Sequence, residues 1–414
     1  MSVPDLSGAG WLQQAETQRV LGAIEAAGFA ARAVGGCVRN ALMGLPVTDI
    51  DIATTALPED TRRIAKAAGF AAIPTGIAHG TITVVANHVP FEVTTLRRDV
   101  GTDGRRATVA FTENWAEDAA RRDFTMNALY CDAQGAVHDP LGGFTDLQAR
   151  RVRFIGEAGQ RIREDYLRIL RFFRLHAMYG AGDLDSTGAA ACVRLRAGLA
   201  QLSAERVGAE MLRLLVARGA VTAVREMFGL GLLVDVLAVA PRMMRFERLV
   251  AIETELGTVP DAALRLAALA VYVAEDVPRL TDRLRLSKDQ QSVLRRAAEH
   301  AWRLNAGTLE KTARVALYRL DTEDYRRRVH LDWAGADDPP TDARWSRLAS
   351  LPERAPVPRF PLSGRDLLAL GLPPGPEVGR LLVQLEKYWI DSDFAASTDS
   401  LNALAKTRIE GDRR

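Results

Sequence analysis

Gly35 to Asp51 reads GGCVRNALMGLPVTDID, a double glycine, a short amphipathic run and two aspartates one residue apart. Side chains of a β-strand alternate between faces, so this spacing predicts that Asp49 and Asp51 project together while Ile50 and Ile52 point into a core. Two carboxylates on one face suit a hard divalent cation. Gly35 and Gly36 follow the run Ala30 to Val34 and remove two side chains, which lets backbone N–H groups face an anion. The stretch has the parts to hold a triphosphate and its metals. Taken separately, Gly-Gly is also an ordinary turn and Asp-Ile-Asp an ordinary edge strand, so the reading depends on what surrounds them.

Upstream, Trp11 to Ala27 carries apolar residues near helical spacing, with Gly28 as a stop. Downstream, Leu57-Pro58-Glu59-Asp60 opens a helix with acids in its first turn, and Gly69 ends it. Thr81 to Val85 alternates, Asn87-His88 turns and Val89 to Thr95 returns, which predicts an antiparallel hairpin. Its return strand puts Glu92 and Thr94 on one face. If that strand lies beside Asp49 and Asp51, Glu92 is a third carboxylate, as in the clamp of two metals about 3.5–4 Å apart used for in-line phosphoryl displacement. A solvated strand face would have the same letters. Arg97 to Thr112 is polar, and with Gly101 and Gly104 its early part reads as a mobile loop.

Beyond Glu117 the pattern turns to long Leu/Ala/Arg-rich helices, with no strand expected after Phe154. Pro352 to Pro361 breaks them before a compact unit at Leu362 to Trp389. The fold class expected is α+β, a mixed-sheet head followed by an all-helical remainder. Arg121-Arg122-Asp123 sets two guanidinium groups beside a carboxylate, a set that can meet phosphate and a ribose hydroxyl. His138-Asp139-Pro140 reads as a turn. Glu164 to Met178, EDYLRILRFFRLHAM, predicts one helix that carries Asp165, Arg168, Arg171 and Arg174 on a shared face. A carboxylate beside a guanidinium offers the acceptor and donors needed to read a base edge; a surface salt bridge would look alike. Leu202 to Val207 starts a helix that reads as architectural.

A chain of 414 residues with 48% hydrophobic and 26% charged residues is an ordinary globular composition of about two to four domains. No apolar run is long enough to span a membrane, and MSVPDLSGAG lacks the order of a signal peptide, so a cytoplasmic location is expected. Cys37, Cys131 and Cys192 are in no metal-ligand spacing and are expected to be free thiols. Residues 1–150 hold 13 Lys+Arg against 17 Asp+Glu, while residues 151–414 hold 41 against 35, so the positive excess lies in the helical part. Only five of the 54 basic residues are lysine. Arginine favours bidentate contact with phosphate and base edges, which suits RNA, although a genomic bias would give the same ratio.

Taken in order, GGCVRN…DID, EVTTLRRD, RRDFTMNAL, HDPLGGFTDL, EDYLRILRFFR and LSAERV resemble the class II nucleotidyltransferase superfamily of tRNA CCA-adding enzymes and bacterial poly(A) polymerases. The ordered set covers about residues 30–215, and 361–379 is similar to the family's C-terminal region. The resemblance implies a nucleotidyltransferase head (1–145), a neck with base recognition (146–235), a body (236–305) and a tRNA-binding tail (306–414). It implies Mg2+ as cofactor, with metals on Asp49 and Asp51 and Glu92 as the associated catalytic acid. Gly36 and Arg39 would meet the triphosphate, Arg122 and Asp123 the sugar region, and Asp165 with Arg168 the incoming base, helped by Arg171 and Arg174. The implied partners are tRNA, CTP and ATP, with no membrane. Asn40 departs from the family, which usually has Asp there, and takes no catalytic role in this reading. Thr75 to Thr81, TGIAHGT, favours the CCA-adding branch. A poly(A) polymerase, a partial enzyme adding only C or only A, and a non-catalytic RNA-binding protein on the same fold are the alternatives. The segment Arg97 to Gly104 is a candidate gate between C and A addition.

Overall fold

The computed structural model describes residues 4–103, 106–299 and 301–411. Nine strands form in chain order: β1 (Ala31–Val34), β2 (Asp51–Thr54), β3 (Ala71–Gly76), β4 (Thr81–Ala86), β5 (Val89–Thr95), β6 (Arg97–Asp103), β7 (Arg106–Phe111), β8 (Tyr130–Cys131) and β9 (Val137–His138). Seven make one sheet in the order β3-β4-β5-β2-β1-β8-β9, and β6 pairs with β7 separately. Only β2 and β5 run parallel, so the head sheet is mixed as expected. Alternation decides its faces: Ile82, Val84 and Ala86 of β4, and Phe91, Val93 and Thr95 of β5, are buried. That side packs on the helices Ala15–Ala26 and Pro58–Ala67. The turn between β4 and β5 uses Asn87 and His88 at φ 46° and 67°, left-handed values that match the twist of a tight hairpin.

Three local expectations are corrected. The helix predicted over Trp11 to Ala27 is two, Gly10–Gln13 and Ala15–Ala26, with Gln14 extended between them (ψ 134°). Arg97 to Asp103 is a strand rather than a loop; its register shifts between Asp99 and Gly101, a bulge that absorbs the glycine. Gly104, the far end of the candidate gate, lies outside the described residues. Strands also return after Glu117, since β8 pairs Tyr130 and Cys131 with Val34 and Ala33 of β1. Two-residue strands are too short to leave a period-2 pattern. After β9 no further strand forms among the described residues.

The chain divides into two compact units, Met1–Pro241 with Arg279–Leu286, and Arg242–Pro278 with Ser287–Arg414. In the first, helices follow the sheet, and Phe124, Phe154 and Phe172 form a triangle of rings (4.7, 5.4 and 6.3 Å between centroids), which fixes the helix Leu167–Tyr179 to the head. The second is all helical among the described residues. Trp333 and Trp345 stack in its interior at 5.9 Å, and Leu367, Leu385, Leu401 and Ala405 centre a smaller core near the C-terminus. No helix among the described residues is long and apolar enough to cross a membrane. The three cysteines are free and buried.

Candidate active site

Asp51 opens β2 and stands directly opposite Glu92 of β5, so the hairpin's return strand does lie beside the aspartate strand. Ile50 and Ile52 are buried, as the alternation requires. Asp49, however, is outside the strand and exposed, two residues ahead of its first ladder pair. The cause is the glycine turn. Strand β1 stops at Val34, the partner of Asp51, because Gly35 (φ 75°, ψ −117°) swings the chain into the helix Gly36–Leu42. Nothing on that side is left to pair residues 49 and 50. Asp51 is exposed by area, yet crowded by protein atoms; this partial desolvation, then Glu92 and more weakly Asp49, push its carboxyl up to about 6 against the pull of Arg122.

A Cβ on Gly35 would be strained at that φ and would stand 3.6 Å from the Asn127 carbonyl oxygen and 3.8 Å from an Arg122 nitrogen, so the turn closes onto the RRDFTMN segment. Arg39, one turn into the helix, is buried, and the side chains it donates to are neutral. Nη1 donates to Asn127 Oδ1 (2.6 Å), Nη2 to Asn40 Oδ1 and the Tyr179 hydroxyl (both 2.8 Å), and the guanidinium lies 3.9 Å from the Tyr179 ring centroid. Asn40 thus orients Arg39, while its own amide donates to the Pro46 carbonyl (2.9 Å).

The other arginines are each held by a carboxylate. Asp118, 1% exposed, accepts Arg121 on one oxygen (2.7 Å) and Arg122 on the other (3.0 Å), and takes the Tyr130 hydroxyl at 2.8 Å. Burial opposes its ionisation, but the two guanidinium groups outweigh it and hold its carboxyl below the usual range. Asp123 accepts Arg171, Glu210 accepts Arg174, and Asp165 accepts Arg206 (2.6 Å). Arg168 donates to Glu164 (2.5 Å) and to the Arg161 carbonyl (2.8 Å). Two expectations change here. Asp165 lies between the helices Ala158–Glu164 and Leu167–Tyr179, with φ −156° and ψ 105°, so the predicted single helix is broken at it. It is paired with Arg206 rather than with Arg168. Replacing Asp118 with Ala strands two guanidinium groups beside a buried void; unfolding free energy is expected to fall by about 3–5 kcal/mol, read from urea denaturation.

These side chains surround a cleft of about 450 Å³ lined by Gly35, Gly36, Arg39, Asp51, Arg121, Arg122, Asp123, Asn127, Asp165, Arg168, Arg171, Arg174 and Arg206, among others. Nine of the expected site residues are in that lining. Asp49 and Glu92 are outside it, Glu92 adjoining it through its ladder partner Asp51.

Residues 31–153 match the family described as "Poly A polymerase head domain", and residues 183–242 that described as "Probable RNA and SrmB- binding site of polymerase A". The mouse mitochondrial CCA tRNA nucleotidyltransferase 1 is 34% identical over 388 residues, covering 91% of this chain and 86% of the mouse protein. The chain belongs to the CCA tRNA nucleotidyltransferase family. The CCA-adding enzyme of Lacticaseibacillus paracasei is 32% identical over 414 residues, covering 95% of this chain and 96% of the bacterial one. Among solved structures, the Bacillus stearothermophilus CCA-adding enzyme in complex with CTP superposes with a TM-score of 0.71 at 27% identity, over 96% of this chain and 98% of that one. The Thermotoga maritima enzyme complexed with tRNA shares the fold, with a TM-score of 0.68 at 17% identity, over 99% of this chain and 100% of that one.

The structure also locates residues that the sequence patterns leave out. Arg206 sits in the LSAERV helix, 41 positions from the carboxylate it meets, and no local spacing links them. Asp118 looks like a helix-start acid in its own sequence. Asn127 and Tyr179 lie 88 and 140 positions from Arg39, and only the closed glycine turn brings Asn127 onto it.

Proposed function

We propose that this protein is a template-independent tRNA nucleotidyltransferase that builds CCA on the tRNA 3′ end from CTP and ATP and releases pyrophosphate. The observation that carries this is the meeting of an acid pair in register, Asp51 and Glu92, with a bank of arginines around one cleft. The relatives named as CCA-adding enzymes supply the substrates.

The acids fit a divalent cation. Among the described residues no three His, Cys, Asp or Glu side chains stand close enough to hold an ion by themselves. That suits Mg2+, which is commonly held by one or two carboxylates together with substrate phosphate oxygens. The raised carboxyl of Asp51 beside Glu92 marks negative charge that a cation would neutralise. In this reading Asp51 and Asp49 are the metal ligands and Glu92 the associated acid. Bound there, Mg2+ would lower the pKa of the attacking hydroxyl and offset the charge of the triphosphate. Gly36 leaves the backbone open to phosphate, Arg39 would meet the triphosphate, and Arg122 with Asp123 the sugar, with Arg171 bound to Asp123. Asp165 and Arg168 would read the base, with Arg174 behind them, so that protein side chains take the place of a template. We assign the head to 1–145, the neck to 146–235, the body to 236–305 and the RNA-binding tail to 306–414. A cytoplasmic site fits this work, although the mouse relative carries a mitochondrial name.

The test is incubation with tRNA lacking its 3′ end, Mg2+ and each labelled nucleotide in turn. Addition of two C and one A, with G and U refused, is expected; open-ended A tails would make it a poly(A) polymerase, and no incorporation would end the reading. A second outcome follows from Asp51. Its carboxyl is raised from 3.8 to about 6, so the folded chain binds the extra proton between these values, and stability from this group is lost as pH rises through that window. Mg2+ opposes that loss only where Asp51 is ionised. The Mg2+-induced rise in Tm is therefore expected to be larger at about pH 7.5 than at about pH 5, with about tenfold more Mg2+ needed per pH unit below about 6. Equal shifts at both values would place the metal elsewhere.

A further inference from the structure

We propose that the open face of β4 and β3 beyond Glu92 binds the 3′-terminal nucleoside of the acceptor RNA, with the hydroxyls of Thr83 and Thr75 taking its ribose. This assignment rests on the nucleotidyltransferase reading. It starts from one row across the sheet: Ile73 of β3 pairs with Thr83 of β4, Thr83 with Glu92 of β5, and Glu92 with Asp51 of β2. Residues directly opposite on neighbouring strands share a face. On the far side of Asp51 the row reaches Val34 of β1, and the glycine turn and arginine cleft follow immediately. The acids therefore stand between two different surfaces.

Direction of attack assigns them. In an in-line displacement the entering oxygen and the leaving pyrophosphate lie at opposite ends of the phosphorus. Pyrophosphate belongs with the glycine turn and Arg39, on the cleft side of Asp51. The attacking 3′-hydroxyl must then arrive from the Glu92 side, over Thr83.

The chemistry there fits a nucleoside and not a polyphosphate. Thr75 and Thr83 hydroxyl oxygens are 2.7 Å apart, and those of Thr81 and Thr94 are 3.0 Å apart. Each pair shares one hydrogen bond, which leaves a second O–H and free lone pairs to meet a ribose hydroxyl as acceptor and donor. Ile73, in the same row, is 49% exposed and gives a base an apolar surface. None of Ile73, Thr75, Thr81, Thr83 and Thr94 carries a charge. Strand β3 is the edge of the sheet, with no strand paired beyond it among the described residues, and Thr75 is exposed and Thr83 half-buried on this face.

The experiment uses the whole protein, ATP, Mg2+ and tRNA lacking only its terminal A, ending in either a ribose or a 2′-deoxyribose nucleotide. For the wild type, the deoxy end is expected to lower kcat/KM about three- to tenfold, the effect of one lost hydrogen bond. Thr75→Val/Thr83→Val is isosteric and keeps strand-forming residues. It is expected to raise KM for the ribose-ended tRNA about three- to tenfold, to leave KM for ATP within about twofold, and to show no further loss with the deoxy end. Thr83→Ser, which returns a hydroxyl, should restore sensitivity to the deoxy end. Should the double variant misfold, Thr75→Val alone on the exposed edge strand carries the same expectation. Losses that add independently, or an effect that falls on KM for ATP, overturn the assignment. A wild-type protein that extends neither tRNA overturns the tRNA reading itself and this assignment with it.

Discussion

Asp51→Asn is expected to cut nucleotide incorporation into tRNA by at least about 10³-fold, with tRNA affinity and the fold retained. The argument is electrostatic. Among the described residues Asp51 is the one acid that both belongs to the strand ladder and lines the cleft, so its Cα is fixed by the sheet. Asn keeps the shape and removes the charge that would draw a cation to the triphosphate. Asp49 stands on an unpaired segment, and its replacement by Ala is expected to cost less than that of Asp51, although the double variant should be inactive. A stability measurement separates the role from a folding defect. The carboxyl of Asp51 is raised by crowding and by Glu92, so its ionisation is a strain on the metal-free protein at neutral pH. The Asn variant without Mg2+ should unfold at a temperature no lower than the wild type, measured at about pH 7.5. Full activity in Asp51→Asn would remove the acid pair from the mechanism, and a lower Tm would assign Asp51 to structure.

The sequence made the acid pair legible because strand alternation is a strong, local rule. Asp-Ile-Asp and Phe-Glu-Val each state which residues face a core, and only their pairing had to be assumed; β2 and β5 supply it. The same rule misplaced Asp49, since alternation says nothing about where a ladder begins, and that was decided by Gly35 turning β1 away. Asp165 shows the corresponding weakness for helices. EDYLRILRFFRLHAM has helical periodicity throughout, but Asp165 accepts the Leu167 backbone N–H (3.1 Å) and the Arg206 guanidinium, and these contacts hold it extended. Arg97 to Asp103 erred in the other direction, because a glycine reads as a break where the structure uses it as a bulge. Asp118 was out of reach altogether: its role consists of Arg121, Arg122 and Tyr130 converging on one buried carboxylate.

Base choice should fail most in Arg168→Ala, in which the preference for CTP over UTP, taken as the ratio of kcat/KM values, is expected to fall at least about a hundredfold. A site that reads a base by paired hydrogen bonds discriminates strongly only while both partners are fixed. Arg168 is fixed by Glu164 and the Arg161 carbonyl, and Asp165 by the Leu167 N–H on one oxygen and Arg206 on the other. Neither group relies on the other for its position, so their effects should differ in size. Removing Arg168 deletes donors outright. Arg206→Ala leaves Asp165 in place with one of its two restraints, and a smaller loss of about tenfold is expected. The measurement is kcat/KM for each of the four nucleotides with the wild type and both variants. Ratios that stay constant while all four rates fall together would show that Arg168 and Arg206 support the neck helices and that base choice is made by other side chains.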